Sequence, residues 1–156
     1  MGIDPGSHIT GYGVVEKRRS GLVEISHGEI KLPRGLPLSG CLLHIHDFLF
    51  KVAGETQPDA IAVEDIFYGK NVKSLIKQAH VRGVAILVGS RCRVPVFEYT
   101  PLELKKAVVG YGRAEKNQVQ MMVRAILKLP EVPPADAADA LAVAICHINF
   151  LKVLPS

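Results

Sequence analysis

Two aspartates near the end of this 156-residue chain carry its strongest chemical signal. Asp136 and Asp139 are three positions apart, so a helix would place both on one face. Alanine and leucine surround Asp139, which predicts a largely apolar setting where two carboxylates repel each other. Such a pair needs a cation, a proton or a basic partner, although Asp136 alone would also suit an ordinary helix N-cap.

Two further acids lie where the chain leaves apolar segments. Asp4 precedes Pro5-Gly6, and Glu64 ends the apolar run 60–63. Asp4 could be a plain turn residue, and Glu64 could mark only the point where a strand reaches water. Strand ends in α/β sheets are also where ligands bind. Four carboxylates without Cys or His favour Mg²⁺ or Mn²⁺, and two such ions about 3.5–4 Å apart can promote phosphodiester hydrolysis.

Charge is distributed unevenly along the chain. The net charge is +4, but residues 70–128 hold twelve Lys or Arg and three acids, whereas both flanking segments are net acidic. This pattern fits either a polyanion bound at one face or a solvated surface with uneven charge.

No apolar run approaches the roughly 20 residues of a membrane helix. No secretory signal is visible, and three scattered cysteines, all expected to be buried, suggest a reducing compartment.

Apolar periodicity predicts an α/β protein. Strands are expected at 12–15 and 22–32, and short strands buried on both faces at 60–63 and 94–97. Helices are expected at 40–54, 73–88, 101–109, 114–128 and 135–151. Only three residues precede Asp4, so either the first strand is short or the chain is trimmed. Early strands followed by alternating helices and strands indicate a mixed sheet covered by helices.

Segments spread over nearly the whole chain resemble the RuvC family of bacterial Holliday-junction resolvases. In chain order they are GIDPG (2–6), TGYGVV (10–15), VEDIF (63–67), AHVRGVA (79–85), VPVFEY (94–99), KKAVVG (105–110), AEK (114–116), QVQ (118–120), MVR (122–124) and ADAADALA (135–142). No single motif is decisive, but together they identify the chain as similar to this family.

The resemblance implies an RNase H-like fold, with a mixed five-stranded sheet flanked by helices in a single domain over residues 1–156. It implies a catalytic, metal-binding site of four carboxylates, here Asp4, Glu64, Asp136 and Asp139. The expected cofactor is Mg²⁺, with Mn²⁺ as a substitute and two ions per site. The expected substrate is four-way junction DNA, cut by paired symmetric nicks in recombination and repair.

The resemblance also implies DNA-binding residues and partners. Lys105 and Lys116 would bind phosphate, and Phe67 would be an aromatic wedge near the crossover. A homodimer, partnership with the branch-migration motor proteins RuvA and RuvB, and a location in the bacterial cytoplasm are expected. The helix at 73–88 would help to pair the subunits, so part of it would be interface, although an apolar stripe such as its Leu75, Ala79 and Ile86 more often belongs to a core.

Several interpretations stay open at the level of sequence. The stripe Lys116, Gln120, Arg124 and Lys128 fits a solvated helix face as well as a DNA contact. His147 is expected to be structural, because helical geometry places it about 12 Å from Asp139 along the axis. Alternative functions are a related nuclease acting on RNA–DNA hybrid or precursor RNA, and a non-catalytic module that binds junctions.

Overall fold

The structure, a computed structural model, describes residues 1–66 and 71–151. Five strands and five helices lie within these residues. The strands are β1 (Gly2–Asp4), β2 (Ile9–Arg18), β3 (Gly21–Lys31), β4 (Ile61–Glu64) and β5 (Val96–Tyr99). The helices are α1 (Leu38–Thr56), α2 (Val72–Cys92), α3 (Pro101–Val109), α4 (Lys116–Leu127) and α5 (Ala135–Leu151).

The strands form one mixed sheet in the order β3-β2-β1-β4-β5. β1 pairs antiparallel with β2, which pairs antiparallel with β3, while β4 runs parallel to both β1 and β5. The short β1 is therefore the central strand, and the carboxyl ends of β1 and β4 meet at the same edge of the sheet. The expected α/β class with a mixed five-stranded sheet is confirmed.

Strand alternation gives the sheet two different faces. Ile3 of β1 and Val63 of β4 point towards α1 and α2, where they join a core that includes Ile45, Leu49 and Val88. The opposite face carries α5, against which α3 and α4 pack. Helices thus cover both faces of the sheet, so that its central strands are buried.

Helix α3 shows how local sequence sets element ends. Thr100 Oγ1 accepts a hydrogen bond from the Glu103 amide, and the Thr100 amide donates one to Glu103 Oε2, which completes a capping box. Pro101 occupies the first turn, and Gly110 ends the helix with a left-handed φ of 92°. The predicted bounds of α3 (101–109) and α5 (135–151) are confirmed, and those of α3 follow from these local signals.

Other sequence predictions need correction. β2 extends well beyond the predicted 12–15, because β3 satisfies its backbone hydrogen bonds even where its side chains are polar. β5 is not buried on both faces: it is an edge strand, and Phe97 and Glu98 are exposed. Only one of the three cysteines, Cys146, is buried, while Cys41 and Cys92 are partly exposed.

Helix α2 differs most from its predicted role in the core. Its buried residues are Val81, Ala85, Val88 and Gly89, not the stripe inferred from sequence. Of that stripe, Leu75 and Ile86 are partly exposed and Ala79 is exposed. None of the helices in the described residues is long and apolar enough to cross a bilayer.

Candidate active site

Two of the predicted acids lie side by side at the end of the sheet. In the parallel pairing of β1 with β4, Gly2 is opposite Ala62 and Ile3 is opposite Val63. Asp4 and Glu64 are the next residues on their strands. Both side chains point to the α5 face, because Ile3 and Val63 before them point to the other.

Glycines let α5 approach the sheet closely enough to add its two aspartates. A Cβ at Gly2 would lie 2.1 Å from the Ala140 carbonyl oxygen, and one at Gly11 would lie 1.9 Å from the Asp136 carbonyl oxygen. Gly11 is paired with Asp4 across the β1–β2 ladder. The missing side chain of Gly11 therefore permits the first turn of α5 to sit directly beside Asp4.

The four acids line one cavity of about 350 Å³. Its walls also include both lysines expected to bind phosphate, Lys105 of α3 and Lys116 of α4, so six of the seven predicted site residues are brought together. The seventh, Phe67, lies outside the described residues. Residues from β1, β4, α3, α4 and α5 thus meet at one edge of the sheet.

Burial and mutual repulsion disfavour the charged forms of these acids. The pKa of Asp4 is raised to about 9, first by burial and then by the nearby charges of Glu64, Asp139 and Asp136. The pKa of Glu64 is raised to about 7 by burial and by Asp139. A hydrogen bond between the two carboxyl groups raises the pKa of Asp4 further and lowers that of Glu64.

Lys116 partly neutralises the cluster. Its Nζ lies 3.5 Å from Asp139 Oδ2, and Asp139 is the only one of the four acids with a lysine or arginine partner within 4 Å among the described residues. Burial raises the pKa of Asp139 although Lys116 opposes that rise, and Asp139 in turn raises the pKa of Lys116. The Lys116 side chain is 74% exposed, so its ammonium lies at the mouth of the cavity.

The donor set fits a hard divalent cation. The four predicted acids offer carboxylate oxygens, and burial together with neighbouring carboxylates raises the pKa values of Asp4 and Glu64, which a bound cation would oppose. In the present side-chain arrangement, no three acidic, His or Cys side chains of residues 1–66 and 71–151 are grouped to hold an ion.

Two further polar residues line the cavity that sequence reasoning did not single out. They are Asp65, which directly follows Glu64, and Gln78 of α2. The position of Asp65 beyond a strand end was a usable signal. No sequence signal pointed to Gln78, because its position in the cavity wall depends on how α2 crosses the sheet.

The basic stripe on α4 is partly structural. Gln120 Nε2 donates to the Pro133 carbonyl at 3.1 Å, and Arg124 donates to the carbonyls of Leu129 and Pro130 at 3.3 and 3.0 Å. These bonds fix the segment between α4 and α5. The sequence did not predict this structural role of the two side chains.

His147 is structural, as expected. It is buried, and its Nδ1 shares a hydrogen bond of 2.8 Å with the Tyr99 hydroxyl. Burial lowers the pKa of His147. The bond joins α5 to β5 and does not involve the carboxylate cavity.

The sheet order, its mixed pairing and the helices on both faces define an RNase H-like fold. The chain belongs to the RuvC family: the family described as crossover junction endodeoxyribonuclease RuvC matches residues 1–147. The RuvC of Syntrophotalea carbinolica is 52% identical over 149 residues, covering 96% of this chain and 92% of that protein.

Solved structures agree with this assignment. The structure of Thermus thermophilus RuvC has a TM-score of 0.89 at 32% identity, covering 97% of this chain and 94% of that one. The structure of T. thermophilus RuvC in complex with Holliday junction substrate has a TM-score of 0.90 at 33% identity, covering 97% and 93%. The similarity therefore includes every element that contributes to the cavity.

Proposed function

We propose that this protein is a structure-selective endonuclease that resolves four-way (Holliday) DNA junctions by paired symmetric nicks. The observation that carries the proposal is the convergence of four carboxylates and two lysines in one cavity, in a chain that matches RuvC over residues 1–147. The relative of similar structure from T. thermophilus is bound to a Holliday junction substrate. The reaction would serve homologous recombination and DNA repair in the bacterial cytoplasm.

Asp4, Glu64, Asp136 and Asp139 would hold Mg²⁺, or Mn²⁺ in its place, with two ions per site. Bound ions would lower the pKa of the attacking water and stabilise the leaving 3′ oxygen, giving a 5′-phosphate and a 3′-hydroxyl. The protein supplies the negative charge that concentrates the ions, and the close packing of α5 on β1 and β2 fixes where that charge lies. No side chain needs to act as a nucleophile.

The two lysines would position the DNA backbone. Lys105 and Lys116 line the same cavity as the acids, so a phosphate entering the site meets both positive and negative groups. Asp139 holds Lys116 at the mouth of the cavity. Lys116 could turn towards a phosphate once the Asp139 carboxylate binds a cation. Phe67, outside the described residues, is proposed to open the base pairs at the crossover.

A homodimer would present two such sites to the two-fold symmetric junction. The exposed face of α2 is suited to this role, because Val72, Ile76 and Leu87 are each more than half exposed on it. Burying this face against a second copy would remove an apolar stripe from water. Sedimentation that shows only monomers at micromolar concentration would contradict the proposed dimer. Delivery of junctions by RuvA and RuvB is proposed from the family alone.

The test of the nuclease proposal replaces Asp136→Asn and measures binding and nicking of a synthetic four-way junction in Mg²⁺. We expect binding to persist and nicking to be lost. Glu131→Gln is the control: it removes an exposed acid shortly before α5 and should leave both unchanged. Undiminished nicking by Asp136→Asn would refute the proposed site.

Substrate choice is tested with the wild-type protein. RNA–DNA hybrid and four-way junction are compared under the same Mg²⁺ concentration. Faster cleavage of the hybrid would instead favour a related nuclease. Tight junction binding without any nicking in Mg²⁺ or Mn²⁺ would favour a non-catalytic binding module.

A further inference from the structure

Arg82 of α2 reaches the ends of the two strands beside the carboxylate cavity. Its Nη2 forms an ion pair with Glu98 of β5, and its Nε lies 3.6 Å from Asp65 Oδ1, just beyond the end of β4. The side chain is mostly buried between these elements. Arg82 therefore links α2 to both parallel strands at the edge where the acids converge.

The contact with Asp65 bears directly on Glu64, the preceding residue. The Asp65 amide donates to the Tyr99 carbonyl at 2.8 Å, and Asp65 Oδ1 accepts a hydrogen bond from the Ile66 amide at 2.8 Å. The peptide that follows Glu64 is thus held by β5, and the Asp65 carboxylate next to it lies beside the guanidinium of Arg82. A change in that peptide would reorient the Glu64 carboxylate.

The contact between Arg82 Nε and Asp65 Oδ1 is close, but it is not a hydrogen bond. Arg82 Nε is buried and has no hydrogen-bond partner within the described residues, and Asp65 Oδ1 stands slightly too far away. A small approach of α2 towards β4 would form this bond. Gln78, one turn earlier on α2, lines the cavity itself, so the same face of α2 meets the site at two points.

We propose that Arg82 is a positioning residue, which ties α2 to the peptide carrying Glu64 and thereby sets the orientation of that carboxylate. The inference rests on the proposed nuclease function. The opposite, exposed face of α2 is the one proposed to pair subunits, so Arg82 connects the position of that helix to the geometry of the catalytic cluster. Its planar, forked guanidinium suits two carboxylates at once, which an ammonium does not.

The test measures single-turnover nicking of a four-way junction at saturating protein and Mg²⁺, well below the melting temperature of each variant. Arg82→Gln is expected to slow nicking about 10- to 100-fold, because catalysis is sensitive to misplacements near 1 Å. Junction affinity should stay within about threefold. Arg82→Lys should recover part of the rate, since one carboxylate can still be engaged. Lys77→Gln, which removes an exposed positive charge from the same helix, should nick at the wild-type rate.

A second variant keeps the test decisive if Arg82→Gln proves unstable. Glu98→Gln removes one partner and keeps the arginine, and the double variant should be no slower than Arg82→Gln alone. Wild-type rates for Arg82→Gln and Glu98→Gln at saturation, with only affinity or melting temperature changed, would overturn the positioning role. Absence of nicking by the wild-type protein would instead contradict the proposed function.

Discussion

The substitution Gly11→Ala should move the two aspartates of α5 away from Asp4 and Glu64. The new Cβ would lie 1.9 Å from the carbonyl oxygen and 2.5 Å from the carbonyl carbon of Asp136. Both are backbone atoms, so no side-chain rotation relieves the clash. Restoring the 3.4 Å of an ordinary contact requires the first turn of α5 to move by about 1.5 Å away from β2.

That displacement would move Asp136 and Asp139 while leaving Asp4 and Glu64 on their strands. Catalysis commonly falls about 100-fold for a misplacement near 1 Å, so we expect a loss of at least that size in single-turnover nicking at saturating Mg²⁺. Overpacking should cost about 1–3 kcal/mol of the free energy of unfolding. The melting temperature should then fall by roughly 2–12 °C, and the protein should remain folded at 25 °C.

Gly54→Ala is the matched control. Gly54 lies in α1, and an added Cβ there would meet nothing within 4 Å. Alanine is the better helix former by about 0.5–1 kcal/mol, so this variant should be slightly more stable and equally active. Nicking by Gly11→Ala within threefold of wild type would show that the close approach of α5 does not set the site geometry, and the structural reasoning would fail.

Two other expectations follow from the electrostatics of the site. Because the folded-state pKa of Asp4 is raised to about 9, its ionisation opposes folding: the contribution of Asp4 to stability in EDTA is most favourable below about pH 4 and is lost as the pH rises towards 9. Asp4→Asn should therefore exceed wild type in free energy of unfolding by on the order of a few kcal/mol in EDTA at pH 8, with the difference vanishing near pH 4; calorimetry showing a pH-independent difference would argue against a buried, repelled carboxylate. Lys116→Gln should change stability by under about 1 kcal/mol, because the ammonium is largely exposed. The same variant should lower the slope of log affinity against log salt for junction binding by about 0.9, and an unchanged slope would show that Lys116 does not contact phosphate.

Several features were accessible from sequence because they depend on near neighbours in the chain. The bounds of α3 follow from its capping residues, and those of α5 from an alanine-rich segment that follows prolines. Asp139 attracted attention because a carboxylate among alanines is unfavourable unless it has a partner. The α/β class followed from the order of strand and helix patterns. The helix bounds and the anomaly at Asp139 used residues within a few positions of each other, and the class used only the order of such local patterns.

Other features depended on contacts between distant segments. The exposure of β5 follows from its place at the sheet edge, and the exposed face of α2 from how that helix crosses β4. The hydrogen bonds of Gln120 and Arg124 could not be predicted without the path of the loop before α5. Periodicity shows that one side of an element is apolar, but it does not show which partner covers that side.

By itself, the sequence determined which residue types were available for chemistry and which elements would carry them. Only the tertiary structure decided that a glycine on β2 makes room for α5, that Lys116 pairs with Asp139, and that Arg82 reaches past Glu64 to its neighbour. The physical reason is that charge repulsion, close packing and ion pairing act over a few ångströms in space. Residues 17 to 125 positions apart in the chain meet at those distances only after folding.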